Sequence, residues 1–460
     1  MPKFAASLLA SVLLIAAASP ATAQSAPADR IATAARLRNA ALASNPAWPL
    51  RVDLTDNVGQ RLAGTEAEAR GRGWAKAAMQ KLGLVNIREE AFPITLWQRG
   101  MESARVLGSN HSLAITALGN SGATPAAGIT APVACFDTLA ALRAAPDAAV
   151  KGRIVFIDHR MTVTQDGSSY GSNGGVRRAG PAIAAQKGAA AVMIRSLGTD
   201  HHRNPHTGST TFPAGTAAIP AVALSLPDAE LIGRLCKRGP VQVHLVSTPT
   251  SQPGQSANIS GEIPGSVANE IVVLGGHLDS WDIGQGVFDD GAGVAITLAA
   301  AATIKASGQQ PRRTVRVVLW GSEEIGVVGG RAYGEAHAGE TIVLAGESDA
   351  GADRIFVVDS RVAEAGLPLF AEIGAVLAPL GIDRATTNKA GGGADVGPLA
   401  ARGTGIIDLG QDMTRYFDVH HTPDDTLDKV DRAQLDQNVA AWVTAIWLAA
   451  SDDRPLRTKP

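Results

Sequence analysis

The chain has 460 residues, 45% hydrophobic and 18% charged, which supplies ample apolar material for large cores and excludes a disordered chain. Lys+Arg 41 against Asp+Glu 43 gives a formal net charge of −2, without the basic excess of an electrostatic nucleic-acid binder. Two Cys exclude a disulfide-stapled scaffold and any Cys-rich metal module, while Gly 50, Pro 25 and 4% aromatics point to a loop-rich α/β enzyme.

Residues 1–23 read as a cleavable export signal: Lys3, an apolar and small run over 4–18, then Ala21-Thr22-Ala23 as a small-x-small cleavage site. The run is shorter than the ~20 residues a membrane span needs, and charges or Gly interrupt every later apolar stretch. The expected location is therefore exported, periplasmic or secreted. In that compartment Cys135 and Cys236 could pair, a point the sequence leaves open. A helix is predicted over 60–83, with Thr65 as N-cap, Glu68 three residues on and Gly83 as the stop.

From about 120 the texture turns to short Gly/Ala/Pro-rich segments. Strands are predicted at 154–157, 190–194 and 219–224, with a helix at 180–187. This region, 120–250, reads as a small domain inserted between 24–119 and 251–460, with the Ser/Thr/Pro/Gln-rich stretch 247–255 as its return linker. After 256 strands and helices alternate. Strands are predicted at 271–274, 314–320, 342–344 and 405–409, and helices at 290–306 and 432–450. Continuous β-branched runs between helices imply an α/β fold with a buried, mostly parallel sheet covered on both faces.

In such a sheet ligands bind beyond the carboxyl ends of the strands. Here those ends carry Gly276-His277-Leu278-Asp279 and Asp289-Asp290, then Glu323-Glu324, then Glu347-Ser348-Asp349, and finally His420-His421-Thr422-Pro423-Asp424-Asp425. Each alone has an ordinary explanation, such as a solvated helix start for the Glu pair. Together they supply the nitrogen and oxygen inventory that two divalent ions sharing a carboxylate require. The His201-His202-x-x-x-His206 string has only Asp200 beside it, without a carboxylate or Cys cluster, and reads as a solvated loop. No Walker loop is present, and the Gly-x-Ser-x-Gly elbow is missed by one residue.

The ordered set His277-x-Asp279, Asp289, Glu323-Glu324, Asp349 and His421 resembles the co-catalytic zinc exopeptidases of the aminopeptidase and glutamate carboxypeptidase family. The branch it looks most like is that of the plasma glutamate carboxypeptidases, through the strings at 276–286, 347–349 and 420–426. The insert looks like a protease-associated domain, through Ser196-Leu197-Gly198 and Pro205-His206-Thr207-Gly208. The resemblance covers nearly the whole chain after 23.

It implies a three-layer α/β/α fold, a small β-rich insert and two Zn2+ per chain, with His277 and Asp349 on one ion, Glu324 and His421 on the other, and Asp289 bridging. His421 is preferred over His420 because Asp425 lies four residues on. Glu323 is left free as general base, His420 stands where relatives place a donor to the developing oxyanion, and Asp279 orients His277. Asp290 is not counted as a ligand. Asp395, after Gly391-Gly392-Gly393-Ala394, would help position a substrate amino terminus.

The implied reaction is hydrolysis of dipeptides or short peptides with a free N-terminus, by a water activated between the ions. A broader aminopeptidase acting on longer peptides shares this metal set. A two-metal phosphoesterase and a non-catalytic receptor-like protein of the same fold are the rivals. A peptide substrate is the expected partner, a homodimer is left open, and neither nucleic acid nor a membrane is expected.

Overall fold

The computed structural model describes Met1 and residues 27–459. Apart from Met1, the expected export signal at 1–23 lies outside the described residues. The first of two sheets has eight strands, in the spatial order Val85–Gln98, Thr250–Ile263, Thr314–Trp320, Ile271–His277, Ile342–Glu347, Gly405–Gln411, Ile355–Arg361 and Asp383–Arg384. The four strands anticipated from apolar runs lie side by side at its centre, and all three pairings among them are parallel. Antiparallel strands flank them on both sides.

Side chains alternate across the pleat, and here both faces are apolar. Val272 and Leu274 join a core with residues of the helices Pro27–Ala43, Ala292–Ala306, Leu367–Leu377 and Arg432–Ala450. Ile271 and Val273 face the other way, against Tyr333 of Val328–Ala336 and Leu399 of Gly397–Ala400. The result is three layers, helix on sheet on helix. The Val287–Ala306 stretch is long and apolar enough to cross a membrane, but its most apolar window is 89% buried inside the protein, as a central helix should be.

The early helix runs Glu66–Lys81, with the Thr65 hydroxyl accepting from Glu68 N–H at 3.3 Å. The Glu68 carboxylate answers by accepting from Gly64 N–H at 2.8 Å. Thr65→Ala is expected to cost about 1 kcal/mol, as lost N-caps do, and to lower the urea midpoint without changing the slope.

The stretch 247–255 is not a linker. Thr250–Ile263 is one strand, paired along its length with Val85–Gln98. Its first residues are solvent-exposed on both sides of the ribbon, so they carry no apolar alternation, and backbone hydrogen bonds alone hold them in register.

The second sheet also has eight strands, with a parallel run of Ile129–Phe136, Ile154–Ile157, Ala191–Arg195 and Ala221–Leu224. Two apolar clusters, one on each side, hold it together. It draws on chain from Glu102, ahead of the change of texture at 120, because Glu102–Val106 pairs antiparallel with Gln242–Ser247. Cys135 in Ile129–Phe136 is disulfide-bonded to Cys236 in the helix Leu226–Arg238, with their Cα atoms 6.6 Å apart.

Candidate metal centre

Because the central strands are parallel, their carboxyl ends open on one edge of the sheet, and the polar clusters converge there. His277 is the last residue of its strand. Glu323 and Glu324 follow Thr314–Trp320, and Asp349 follows Ile342–Glu347. His420 and His421 come from the loop after Gly405–Gln411 and the short helix Tyr416–Val419. His421 takes a left-handed backbone (φ 59°), held by Thr207 N–H donating to its carbonyl at 2.9 Å. Gly276 is required beside His277, since a side chain there would collide with the Asp290 carboxylate.

Asp289 is the centre of the cluster. Its Oδ1 lies 3.0 Å from His277 Nε2, and its Oδ2 lies 3.0 Å from His421 Nε2. His277 Nε2 is also 3.4 Å from Asp349 Oδ1, and His421 Nε2 is 2.9 Å from Glu324 Oε2. Two donor groups therefore meet at one carboxylate. His277, Asp289 and Asp349 offer ligand atoms that all lie within 4.8 Å of one another. The other group contains His421 together with either Glu324 or His420. Both imidazoles reach Asp289 Oδ2, His420 at 3.4 Å, but only the His421 ring also has a Glu324 contact in ion-pair range. The two rings stack, with centroids 3.5 Å apart, both line the adjoining cavity, and His420 and His421 each offer a ligand atom alongside Asp289.

The electrostatics show how much negative charge is gathered here. Burial pushes Glu324 up to about 7. Burial, with repulsion from Asp349 and Glu324, drives Glu323 well above the usual carboxylate range. Burial opposes charge on both imidazoles that face Asp289, but at His277 the Asp349, Asp279 and Asp289 carboxylates together outweigh it and raise that ring well above the usual range. At His421 the Glu324 and Asp289 carboxylates do the same and hold it at about 9. Burial, reinforced by His421, holds His420 well below the usual range. Glu324 Oε1 is buried without a hydrogen-bond partner. A borderline divalent cation on either side of Asp289 would satisfy this imidazole and carboxylate set, which lacks the thiolates softer ions prefer.

Several residues sit differently from the sequence expectation. Asp279 orients His277 through its main-chain carbonyl, 2.9 Å from Nδ1. Its carboxylate is 3.7 Å from that nitrogen and instead accepts from Glu323 and Glu324 N–H at 3.0 and 3.3 Å. Thus it aims the Glu pair. Asp290 accepts from His277 N–H and Gly293 N–H, at 3.0 and 2.8 Å. Asp395 has no exposed surface, and its carboxylate accepts from Gly330 N–H at 2.9 Å. Its neighbour Ala394 lines the cavity, whereas Asp395 is not among the lining residues.

His206 is not in a solvated loop. It is 1% exposed, with Nδ1 2.7 Å from the His420 carbonyl and Nε2 2.5 Å from Asp200. The partner that the spacing concealed is His420 itself, more than two hundred residues away.

Asp425 was noted only for its spacing from His421, and the other contributors carried no sequence signal strong enough to find. Asp425 accepts from Val287, Phe288 and Asp289 N–H at 3.0, 2.7 and 3.3 Å, which fixes the loop that delivers Asp289. Fully buried Arg61 donates to the Leu278 and Gly286 carbonyls at 2.7 and 2.9 Å and braces the same loop. Trp281 Nε1–H donates to Glu324 at 2.6 Å. From the second sheet's layer Arg177 approaches His421 Nδ1 at 3.2 Å, as does the Thr207 carbonyl. A cavity of about 510 Å³ opens over Asp289, Glu323, Glu324 and Asp349, and Tyr170 and Arg178 also line it.

Residues 258–446 match the model of peptidase family M28. Mouse (Mus musculus) carboxypeptidase Q is 33% identical over 412 residues, 88% of this chain and 85% of that protein. The crystal structure of a peptidase M28 precursor from Shewanella amazonensis superposes with a TM-score of 0.91 at 41% identity, covering 94% of this chain and 99% of that one. BSAP, a zinc aminopeptidase from Bacillus subtilis, shares the fold at a TM-score of 0.63 and 20% identity, over 88% of this chain and 94% of its own. The chain belongs to peptidase family M28, the metallopeptidase family its motifs resemble.

Proposed function

We propose that this protein is an exported dinuclear zinc exopeptidase that hydrolyses dipeptides or short peptides with a free N-terminus. The observation that carries the reading is Asp289, whose two oxygens each face a different imidazole at 3.0 Å. In this reading His277 and Asp349 hold one zinc ion, Glu324 and His421 the other, and Asp289 both. When bound, the ions supply Lewis acidity to the scissile carbonyl and lower the pKa of a shared water.

The chain's own residues do the rest. Glu323 is aimed by Asp279 and excluded from ligation by the opposite turn of Glu324, so its carboxylate takes the proton of the attacking water. It then returns that proton to the leaving amine. His420, beside the donor set, donates a hydrogen bond to the oxygen that gains charge as the carbonyl becomes tetrahedral. The carboxylate-rich wall attracts a substrate's free α-ammonium, and the cavity limits what can follow it. Export is supported by the composition of 1–23 and by the Cys135–Cys236 disulfide, a bond suited to an oxidising compartment.

Chelator treatment is expected to abolish dipeptide hydrolysis, and added zinc to restore it, measured beside an aminoacyl-arylamide and a phosphoester. Phosphate release without amide cleavage would assign the site to phosphoester chemistry instead. Absence of any chelator-sensitive activity would favour the receptor-like reading.

A further inference from the structure

The loop between the strands Ala191–Arg195 and Ala221–Leu224 of the second sheet reaches the short helix Tyr416–Val419 and the His420–His421 pair after it. It grips them at successive points. Thr199 N–H donates to the Phe417 carbonyl at 3.1 Å, and the Thr199 hydroxyl donates to the Asp418 carboxylate at 2.8 Å. Further along, His206 Nδ1 lies 2.7 Å from the His420 carbonyl, and Thr207 N–H donates to the His421 carbonyl at 2.9 Å. Both carbonyls of the histidine pair are therefore held from the second sheet.

His206 is itself fixed. A carbonyl can only accept, so Nδ1 carries the proton that the His420 carbonyl receives. At the opposite nitrogen the buried Asp200 carboxylate, 2.5 Å from Nε2, stops the ring from turning. The His206 N–H donates to the Ser196 hydroxyl at 2.8 Å. The ring lies against Gly198, where any side chain would collide with it.

Two features of His421 give this grip its purpose. Its left-handed backbone (φ 59°) is one that a non-glycine residue keeps only when its surroundings impose it. With Nε2 turned to Asp289 and Glu324, its Nδ1 bears the ring proton. Of the two groups 3.2 Å from Nδ1, Arg177 can only donate, so the Thr207 carbonyl receives that proton. His277 needs no such help, because its ring is oriented by the Asp279 carbonyl two residues on.

We propose that Asp200 and His206 are positioning residues of the metal centre, holding the His420–His421 peptide so that His421 Nε2 stays turned to Glu324 and Asp289. The assignment rests on the dinuclear zinc reading and deepens it: the second sheet's loop governs the ion of Glu324 and His421 and leaves that of His277 and Asp349 independent.

Equilibrium zinc competition on the full chain tests this, with circular dichroism to verify folding. His206→Gln keeps a polar group toward Asp200 but loses the donor at Nδ1. It should weaken one of two bound zinc ions by about 10–100-fold, the usual cost of losing an outer partner of a ligand, and leave the other at wild-type affinity. His206→Asn, whose amide nitrogen falls where Nδ1 lay, should recover most of the loss. Asp200→Asn and Gly198→Ala, which keep His206 but unseat its ring, should weaken the same ion. Wild-type affinity for both ions in His206→Gln, or equal weakening of both, would overturn the proposal and leave the zinc reading standing. A wild-type protein that binds fewer than two zinc ions would overturn the dinuclear reading and the proposal with it. The expected asymmetry without hydrolysis of any peptide would overturn the peptidase reading alone and support the positioning role.

Discussion

Glu323→Gln is expected to lower kcat on a dipeptide by about 10²–10⁴-fold, the contribution of a positioned general base, with zinc content equal to wild type. Glu323 reaches the site by its backbone, because its N–H is anchored on Asp279 at 3.0 Å. Its neighbour Glu324 points to His421 at 2.9 Å. Adjacent side chains diverge, so Glu323 borders the cavity while standing outside both donor groups. Glutamine keeps the size and the hydrogen-bonding oxygen but cannot accept a proton. Turnover and metal content measured on the same preparation separate the two roles, and a variant with wild-type rate would remove Glu323 from the mechanism.

Asp289→Ala should have the opposite signature, with zinc and activity lost together. Asp289 is the one residue common to both donor groups, and removing it leaves His277 and His421 each with a single facing carboxylate. The loss in metal affinity should exceed the about 10–100-fold typical when an outer partner of a ligand is removed. Asp425→Asn provides that comparison, since Asp425 touches Asp289 only through backbone N–H groups. Equilibrium zinc competition on the three proteins, with circular dichroism to verify folding, orders them wild type, Asp425→Asn, Asp289→Ala. Equal affinity for wild type and Asp289→Ala would show that the carboxylate bridges nothing.

The central sheet and the polar edge were legible because each is written locally. A parallel strand buried on both faces needs an unbroken apolar run, and 271–274, 314–320, 342–344 and 405–409 supply one each. The residues just beyond those runs must lie on one edge, so the convergence of His277, Glu324, Asp349 and His421 follows from topology. What stayed hidden depends on distant partners. Thr250–Ile263 begins with exposed polar residues whose order comes from Val85–Gln98, so composition alone suggests a linker. His206 looks solvated until the His420 carbonyl is placed against it. Arg61 and Arg177 are single basic residues whose burial sequence cannot reveal. Asp395 was misjudged because a glycine loop followed by an acid suggests a pocket lip, whereas Gly393 serves to let the chain pass close over Glu347.

The most direct measurement is anomalous diffraction at the zinc edge on crystals grown with zinc. Two peaks are predicted, one within reach of His277 and Asp349 and one within reach of Glu324 and His421, with Asp289 touching both. A single peak, or zinc bound only at sites away from Asp289, would contradict the account.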